Sequence, residues 1–195
     1  RVLFRSGQVI FNFFNDSTTS SMSAIISSAS LIKKVYVPKY LFVLSRVMSS
    51  FINLMASFTA LLLVMVATRA ELHWTVFLSV IPLAMVVLFS FGVGMFLAAI
   101  TVRFRDVIHL YSVFTTGLLY LTPVIYPMAA LPDVVKTIVM INPLTNYLLM
   151  FRDVMFNNTL PSVFSVLLGI AEAALALALG LYVFYKNQDE FILNL

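Results

Sequence analysis

Charge leaves long stretches of this 195-residue chain untouched. No Asp, Glu, Lys or Arg occurs in residues 47–68, 74–102 or 107–132, and Glu172 alone interrupts the run between Asp153 and Lys186. Each run exceeds the ~20 residues that a helix needs to cross ~30 Å of hydrocarbon. In that medium the backbone must satisfy its own N–H and C=O groups, and continuous apolar runs do so as helices. A soluble domain has no means of hiding a composition that is 62% hydrophobic and 10% charged, with a mean hydropathy of +1.03. The expected fold is an all-α, polytopic membrane protein, with residues 1–195 forming one transmembrane domain.

Residues 120–152 (YLTPVIYPMAALPDVVKTIVMINPLTNYLLMFR) break this pattern. They are apolar enough for a bilayer, yet they hold Pro123, Pro127, Pro132 and Pro143 together with Asp133, Lys136 and Arg152. A proline inside a helix removes a donor and clashes with the preceding turn, so four of them exclude one simple membrane-crossing helix. A proline-broken, re-entrant element over 127–156 is expected instead. Irregular backbone at membrane depth persists only against protein or a water-filled cavity, which places a conduit beside it and makes transport the first function to consider.

The remaining chain reads as spans at about 8–30, 46–68, 75–101, 107–126 and 162–184. The first is unusual, because a Ser- and Thr-rich half follows Phe11, Phe13 and Phe14, and Asp16 lies between them. Hydroxyls bond back to their own helix or across to a neighbour, so this segment is expected to lie among helices and not against lipid. A basic loop, 31–45, carries Lys33, Lys34 and Lys39, with Arg46 just beyond it, and Pro38 breaks it. Trp74 suits an interfacial anchor, Pro82 a kink, and Gly92 and Gly94 close helix contact. In the last span Gly169 with Ala173, and Ala176 with Gly180, offer small side chains four residues apart. Glu172 sits amid them. An acid at that depth costs roughly 2.5 kcal/mol or more, so it should face the bundle interior or a wet path, either bonded to neighbouring hydroxyls or coupled to protons.

Alternation across these spans puts Lys33, Lys34, Lys39, Arg46, Arg103, Arg105 and Lys186 on one side and Arg69, Lys136 and Arg152 on the other. The positive-inside bias makes the first side cytoplasmic, the carboxyl terminus included. With Arg1 then outside, an earlier span and six spans in the complete protein are expected. Arg103, Arg105 and Asp106 are either topology markers or a salt-bridged hinge, and Asp106 suits the start of the following helix. Arg152 and Asp153 are placed to tie the broken element to the span beneath.

Several chemistries have no residues to carry them. The absence of Cys rules out a disulfide or thiolate metal site within the chain, and His73 and His109 have no neighbouring ligand in the sequence. No phosphate-binding glycine loop, nucleophile elbow, HExxH or convergent carboxylate pair is present, and Asp189 and Glu190 read as a solvated tail. The formal charge of +4 follows from loop basic residues rather than from a nucleic-acid surface. No enzyme active site, cofactor site or metal site is expected in this chain.

Four stretches in order, ASLIKKVYVPKYLFVLS (29–45), VRFRDV (102–107), TPVIYP (122–127) and INPLTNYLLMFRDVMF (141–156), make the chain resemble the permease subunit of polysaccharide-exporting, type-2 ABC transporters. The resemblance covers essentially all 195 residues. It implies that Leu31, Ile32, Lys33, Lys34, Val35, Tyr36 and Pro38 lead into a coupling helix that docks on a separate ATPase. It also implies that Pro123, Tyr126, Pro127, Asn142, Pro143 and Arg152 belong to re-entrant helices at the outer mouth, and that Arg103, Arg105 and Asp106 form a cytoplasmic hinge. Two permease copies would enclose a path for a lipid-linked glycan of the O-antigen, capsule or teichoic acid class in a bacterial inner membrane, with ATP and Mg held by the ATPase. Aromatic faces stack on sugars, which makes Phe11, Phe13, Phe14, Tyr111, Phe114, Tyr120 and Tyr126 candidate pathway residues, although such rings also serve packing or interface anchoring. A type-2 exporter of drugs or small lipids, an ion-coupled transporter using Glu172, and a membrane enzyme acting on lipid carriers stand as alternatives.

Overall fold

The computed structural model describes residues 2–34, 37–68, 74–126, 128, 131–188 and 191, without the side chains of residues 2–4. Among the described residues every regular element is a helix. Helix α1 (Val2–Ser27) meets the four-residue α2 (Ala29–Ile32), and α3 (Tyr40–Ala67) begins two residues after Pro38. A 3₁₀ turn at Trp74–Ser79 leads into α4 (Val80–Arg103), followed by α5 (Val107–Leu121), α6 (Asp133–Ile141), α7 (Pro143–Phe156) and α8 (Val163–Asn187).

Three helices, Tyr40–Ala67, Trp74–Arg103 and Val163–Asn187, are long and apolar enough to cross a membrane, and the pair α6 and α7 raises the number to four if it counts as one span bent by 98°. The helices do not end where the expected spans do, and α3 for one starts at Tyr40 against an expected 46. The first helix runs Val2–Ser27 rather than 8–30, and α5 ends at Leu121, well short of residue 126. The cause of the early end of α5 is local: Thr122 precedes Pro123 and adopts an extended backbone (φ −92°, ψ 133°), because the proline ring crowds a helical residue before it. The resulting 15 residues of α5 reach about 22 Å. Pro82 falls in the first turn of α4, just after the 3₁₀ turn, and not deep in its interior.

Helix α4 is the centre of the bundle, packing against α1, α3, α7 and α8. Its glycines explain why. A methyl group added to Gly92 would overlap the backbone of Ala176 and Leu177, and one added to Gly180 would overlap the Gly92 carbonyl. One on Gly94 would sit 2.8 Å from Ser21 Oγ of α1. Gly169 leaves room for Met85, Tyr147 and Met150, and Ala173 is buried beside it. Both small-residue pairs of α8 therefore face protein. A run of rings crosses the same centre: Phe14 stacks on Phe89 at 5.8 Å, and Phe89 meets Tyr147 at 5.7 Å, linking α1, α4 and α7.

Crowding at the glycines gives opposite signs at two positions. Gly180→Val should lower the apparent melting midpoint of the detergent-solubilised protein, by the equivalent of about 1–3 kcal/mol or more, because backbone and not a flexible side chain blocks the added atoms. Gly117→Ala, with nothing within 4 Å of the new carbon, should raise it by about 0.5–1 kcal/mol.

Candidate functional site

Three regions gather the residues that the sequence singles out. At one end of the bundle, α2 and the turn after it hold Leu31, Lys33 and Lys34 exposed, with Ile32 buried. Pro38 is exposed as well. Val35 and Tyr36 lie outside the described residues, as do Arg1, Arg69, Glu71, His73, Pro127, Asp189 and Glu190. The corner between α4 and α5 exposes Arg103, Arg105 and Asp106. Among the described residues no salt bridge joins Arg103, Arg105 or Asp106. Arg103 lies over the Phe104 ring at 5.6 Å, and Asp106 occupies the N-cap position of α5 without a side-chain cap bond, where its charge still complements the helix dipole.

The second region is the contact of α1 with α3. Ser17, Thr18, Ser20 and Ser21 return their hydroxyls to carbonyls of α1 at 2.6–3.1 Å, which satisfies them without water. Others reach across: Ser50 donates to Asp16 Oδ2 at 2.7 Å, and Tyr111 Oη donates to Thr18 Oγ1 at 2.7 Å. An open groove of about 400 Å³ follows, lined by Asn12, Asn15, Asp16, Thr19, Ser50 and Asn53 beside Phe13. These amides and hydroxyls sit halfway along two long helices. The sequence supplied each polar residue but not their alignment, because α1 and α3 come together only through packing. Phe11, Phe13 and Phe14 are core residues; Phe13 touches this groove, while Phe14 and Tyr111 line a separate apolar groove of about 430 Å³ with Phe114. Tyr120 is exposed.

The third region is the helix break. Asn142 joins its two sides: its side-chain carbonyl accepts from Leu144 N at 3.1 Å as the N-cap of α7, and its amide donates to Thr122 Oγ1 at 2.8 Å. Pro143 takes the first turn of α7, where a proline fits. Buried Pro123 adjoins this bridge, Arg152 donates to the Val124 carbonyl at 3.3 Å, and Tyr126 Oη donates to the Tyr120 carbonyl at 2.7 Å. The structure thus brings Asn142, Pro143 and Arg152 to the Thr122–Val124 turn that contains Pro123, while Tyr126 bonds back to the end of α5. Asp153 instead closes the end of α7, accepting from Asn157 Nδ2 at 2.8 Å.

Sequence reasoning missed Asn146. Its amide donates to the Ser165 carbonyl at 3.1 Å and to Glu172 Oε2 at 3.4 Å, so the partner of Glu172 is an amide and not a hydroxyl. Tyr147 Oη donates to the Gly169 carbonyl at 3.0 Å one residue on. The only sequence signal for these bonds was their place in the INPLTNYLLMFRD stretch. Among the described residues no group of three or more His, Cys, Asp or Glu side chains could hold a metal ion.

With this geometry in place, comparison with known proteins decides the family. Residues 3–156 match the ABC-2 type transporter family. The chain belongs to that family. It is similar to two proteins from Klebsiella pneumoniae named O-antigen export system permease protein RfbA: 26% identical over 95% of this chain and 72% of the first, and 27% over 97% and 73% of the second. A protein of the same name from Myxococcus xanthus is 25% identical over 92% of this chain and 70% of its own length. This ABC-2 transporter chain is a multi-pass membrane protein, a transport subunit rather than a catalyst.

The double role of Asn142 gives a graded expectation. Asn142→Ala should lower the apparent melting midpoint by the equivalent of about 1–2 kcal/mol through loss of the cap. Asn142→Ser, which keeps a capping oxygen but cannot reach Thr122, should fall between it and the parent.

Proposed function

We propose that this chain is the membrane-spanning subunit of an ATP-driven exporter that carries a lipid-linked polysaccharide, of the O-antigen, capsule or teichoic acid class, across the bacterial inner membrane. The observation that carries the proposal is the alignment along 92–97% of the chain with permeases named for O-antigen export. Two copies enclose the path, and a separate ATPase binds ATP and Mg and drives each cycle. Five spans, with the carboxyl terminus cytoplasmic, agree with the distribution of basic residues.

Each region then has a task. Leu31, Ile32, Lys33, Lys34, Val35, Tyr36 and Pro38, within the loop 31–45, make up the segment that couples to the ATPase, with buried Ile32 anchoring it, and the outward exposure of Lys33 and Lys34 supports this reading. Arg103, Arg105 and Asp106 form the corner at which α4 and α5 pivot. The bent pair α6 and α7, within 127–156, enters and leaves the membrane from the outer side as a re-entrant gate built on Pro123, Tyr126, Pro127, Asn142, Pro143 and Arg152. Its 98° bend suits such an element. The groove between α1 and α3 supports a hydrated path, since its amides and hydroxyls match sugar hydroxyls and would be costly against lipid. Of the aromatic candidates Phe13 lines that path, Phe14 and Tyr111 offer their faces in the separate apolar groove, Tyr120 is exposed, and Phe11 belongs to the packed core.

The deciding experiment is co-purification of the full-length chain with the ATPase encoded beside it. A stable complex of two permeases and two ATPases that hydrolyses ATP, and whose Lys33→Glu/Lys34→Glu variant keeps hydrolysing while export stops, is the expected result. A chain that purifies alone and transports on a proton gradient would overturn the proposal, and so would normal export by a variant lacking ATP hydrolysis.

A further inference from the structure

Lys33 and Lys34 point outward, but the third lysine of the same loop turns back into the protein. Lys39 lies just before α3, yet its ammonium donates to the main-chain carbonyl of Gln188, the C-cap residue of α8, 149 positions along the chain. The last carbonyls of a helix carry partial negative charge, so a cation there is held by both a hydrogen bond and the helix dipole; the Gln188 carbonyl also accepts from Phe191 N at 3.4 Å, which ties both of the lysine's contacts together. The same ammonium lies 5.6 Å from the centre of the Phe191 ring. That ring is 1% exposed and packs edge-on against Phe184 at 5.3 Å. Phe191 is part of an apolar knot that also takes in Ile25 of α1, Ile32 of α2, Val43 of α3 and Ala98 of α4. The loop and the end of α8 are therefore one packed unit, not two neighbouring surfaces.

The rest of α8 is fixed along its length. Gly180 locks it against Gly92 of α4, and towards its other end Gly169, Ser165 and Glu172 take hydrogen bonds from Tyr147 and Asn146 of α7. One continuous helix of 25 residues thus joins the loop to the bent helix pair. We propose that Lys39 is a positioning residue that clamps the loop 31–45 to the end of α8 through Gln188 and Phe191, making α8 the strut that carries loop displacement to the bend. The proposal rests on the assignment of that loop as the ATPase contact.

The test uses the full-length permease in complex with its ATPase, in proteoliposomes. Lys39→Met keeps the stem of the side chain and removes the charge. Export should fall by about tenfold or more while ATP hydrolysis stays within about twofold of the parent, the scale of an ordinary coupling free energy. Phe191→Ala should behave alike, the double variant no worse than the poorer single one, and Lys39→Arg should restore most export. With any cysteine elsewhere in the complex replaced, a probe on Leu167→Cys, an exposed α8 position in a stretch of 195 residues without Cys, can report ATP-dependent movement directly. Its signal should change with ATP in the parent and stay still with Lys39→Met.

Normal export by Lys39→Met, an unchanged probe response, or a parallel loss of export, hydrolysis and assembly that Lys39→Arg shares would each overturn the strut. Lys33→Glu/Lys34→Glu, measured beside them, separates the two levels. If that variant uncouples hydrolysis from export while Lys39→Met does not, the strut alone fails. If it leaves coupling intact, the loop is not the ATPase contact and the underlying assignment fails with it.

Discussion

Gly92 and Gly180 meet backbone to backbone, and the arrangement of the other helices depends on that approach. Lipid tails are as apolar as leucine, so burial of leucine against leucine gives membrane helices little reason to associate. Close van der Waals contact and interhelical hydrogen bonds must supply it, the latter at about 0.6 kcal/mol each. Two glycines facing each other let α4 and α8 come near enough for the first. Once they do, Gly169 admits Met85, Tyr147 and Met150, and Tyr147 reaches the Gly169 carbonyl for the second. The α7 end of the bent pair is positioned by this contact, although its own helical turn is set by Asn142 and Pro143.

Helix α1 solves a different problem. Its inner face, with Phe13, Phe14, Ser17, Thr18 and Ser21, is buried, and its hydroxyls are satisfied by its own carbonyls or by Tyr111. Its other face presents Asn12, Asn15, Asp16 and Thr19 to an open groove. A helix polar on both faces cannot rest against lipid on either without large cost. That is why a 26-residue helix in so apolar a protein is not among those apolar enough to count as a lipid-facing span.

The break between α5 and α7 shows local chemistry and tertiary contact acting together. Pro123 ends α5 and Pro143 starts α7, but neither says where the two ends go. Asn142 decides that by capping α7 with one side-chain atom and holding Thr122 with another, and Arg152 adds a bond to the Val124 carbonyl. Losing the Asn142 side chain therefore loosens two elements, one held by its carbonyl and one by its amide, whereas the Asp153 carboxylate, one residue beyond Arg152, bonds Asn157 at the end of its own helix.

Much of this was legible in the sequence, because its causes act over a few residues. Uncharged runs longer than a bilayer is thick dictate helices, prolines dictate where helix cannot continue, and glycines four residues from alanines mark faces for close contact. The four family stretches could be read in order, and the matched family agrees with them. What the sequence left open is whatever depends on which helix faces which. Phe11 and Phe13 look the same in the sequence, but only Phe13 reaches the groove. The partner of Glu172 is Asn146, 26 residues away, and that of Lys39 is Gln188, 149 away. The short-range rules of backbone and bilayer fixed the helices and the break. Side-chain partners at long separation were decided only by tertiary packing, since nothing local to either residue distinguishes the bonded choice from its alternatives.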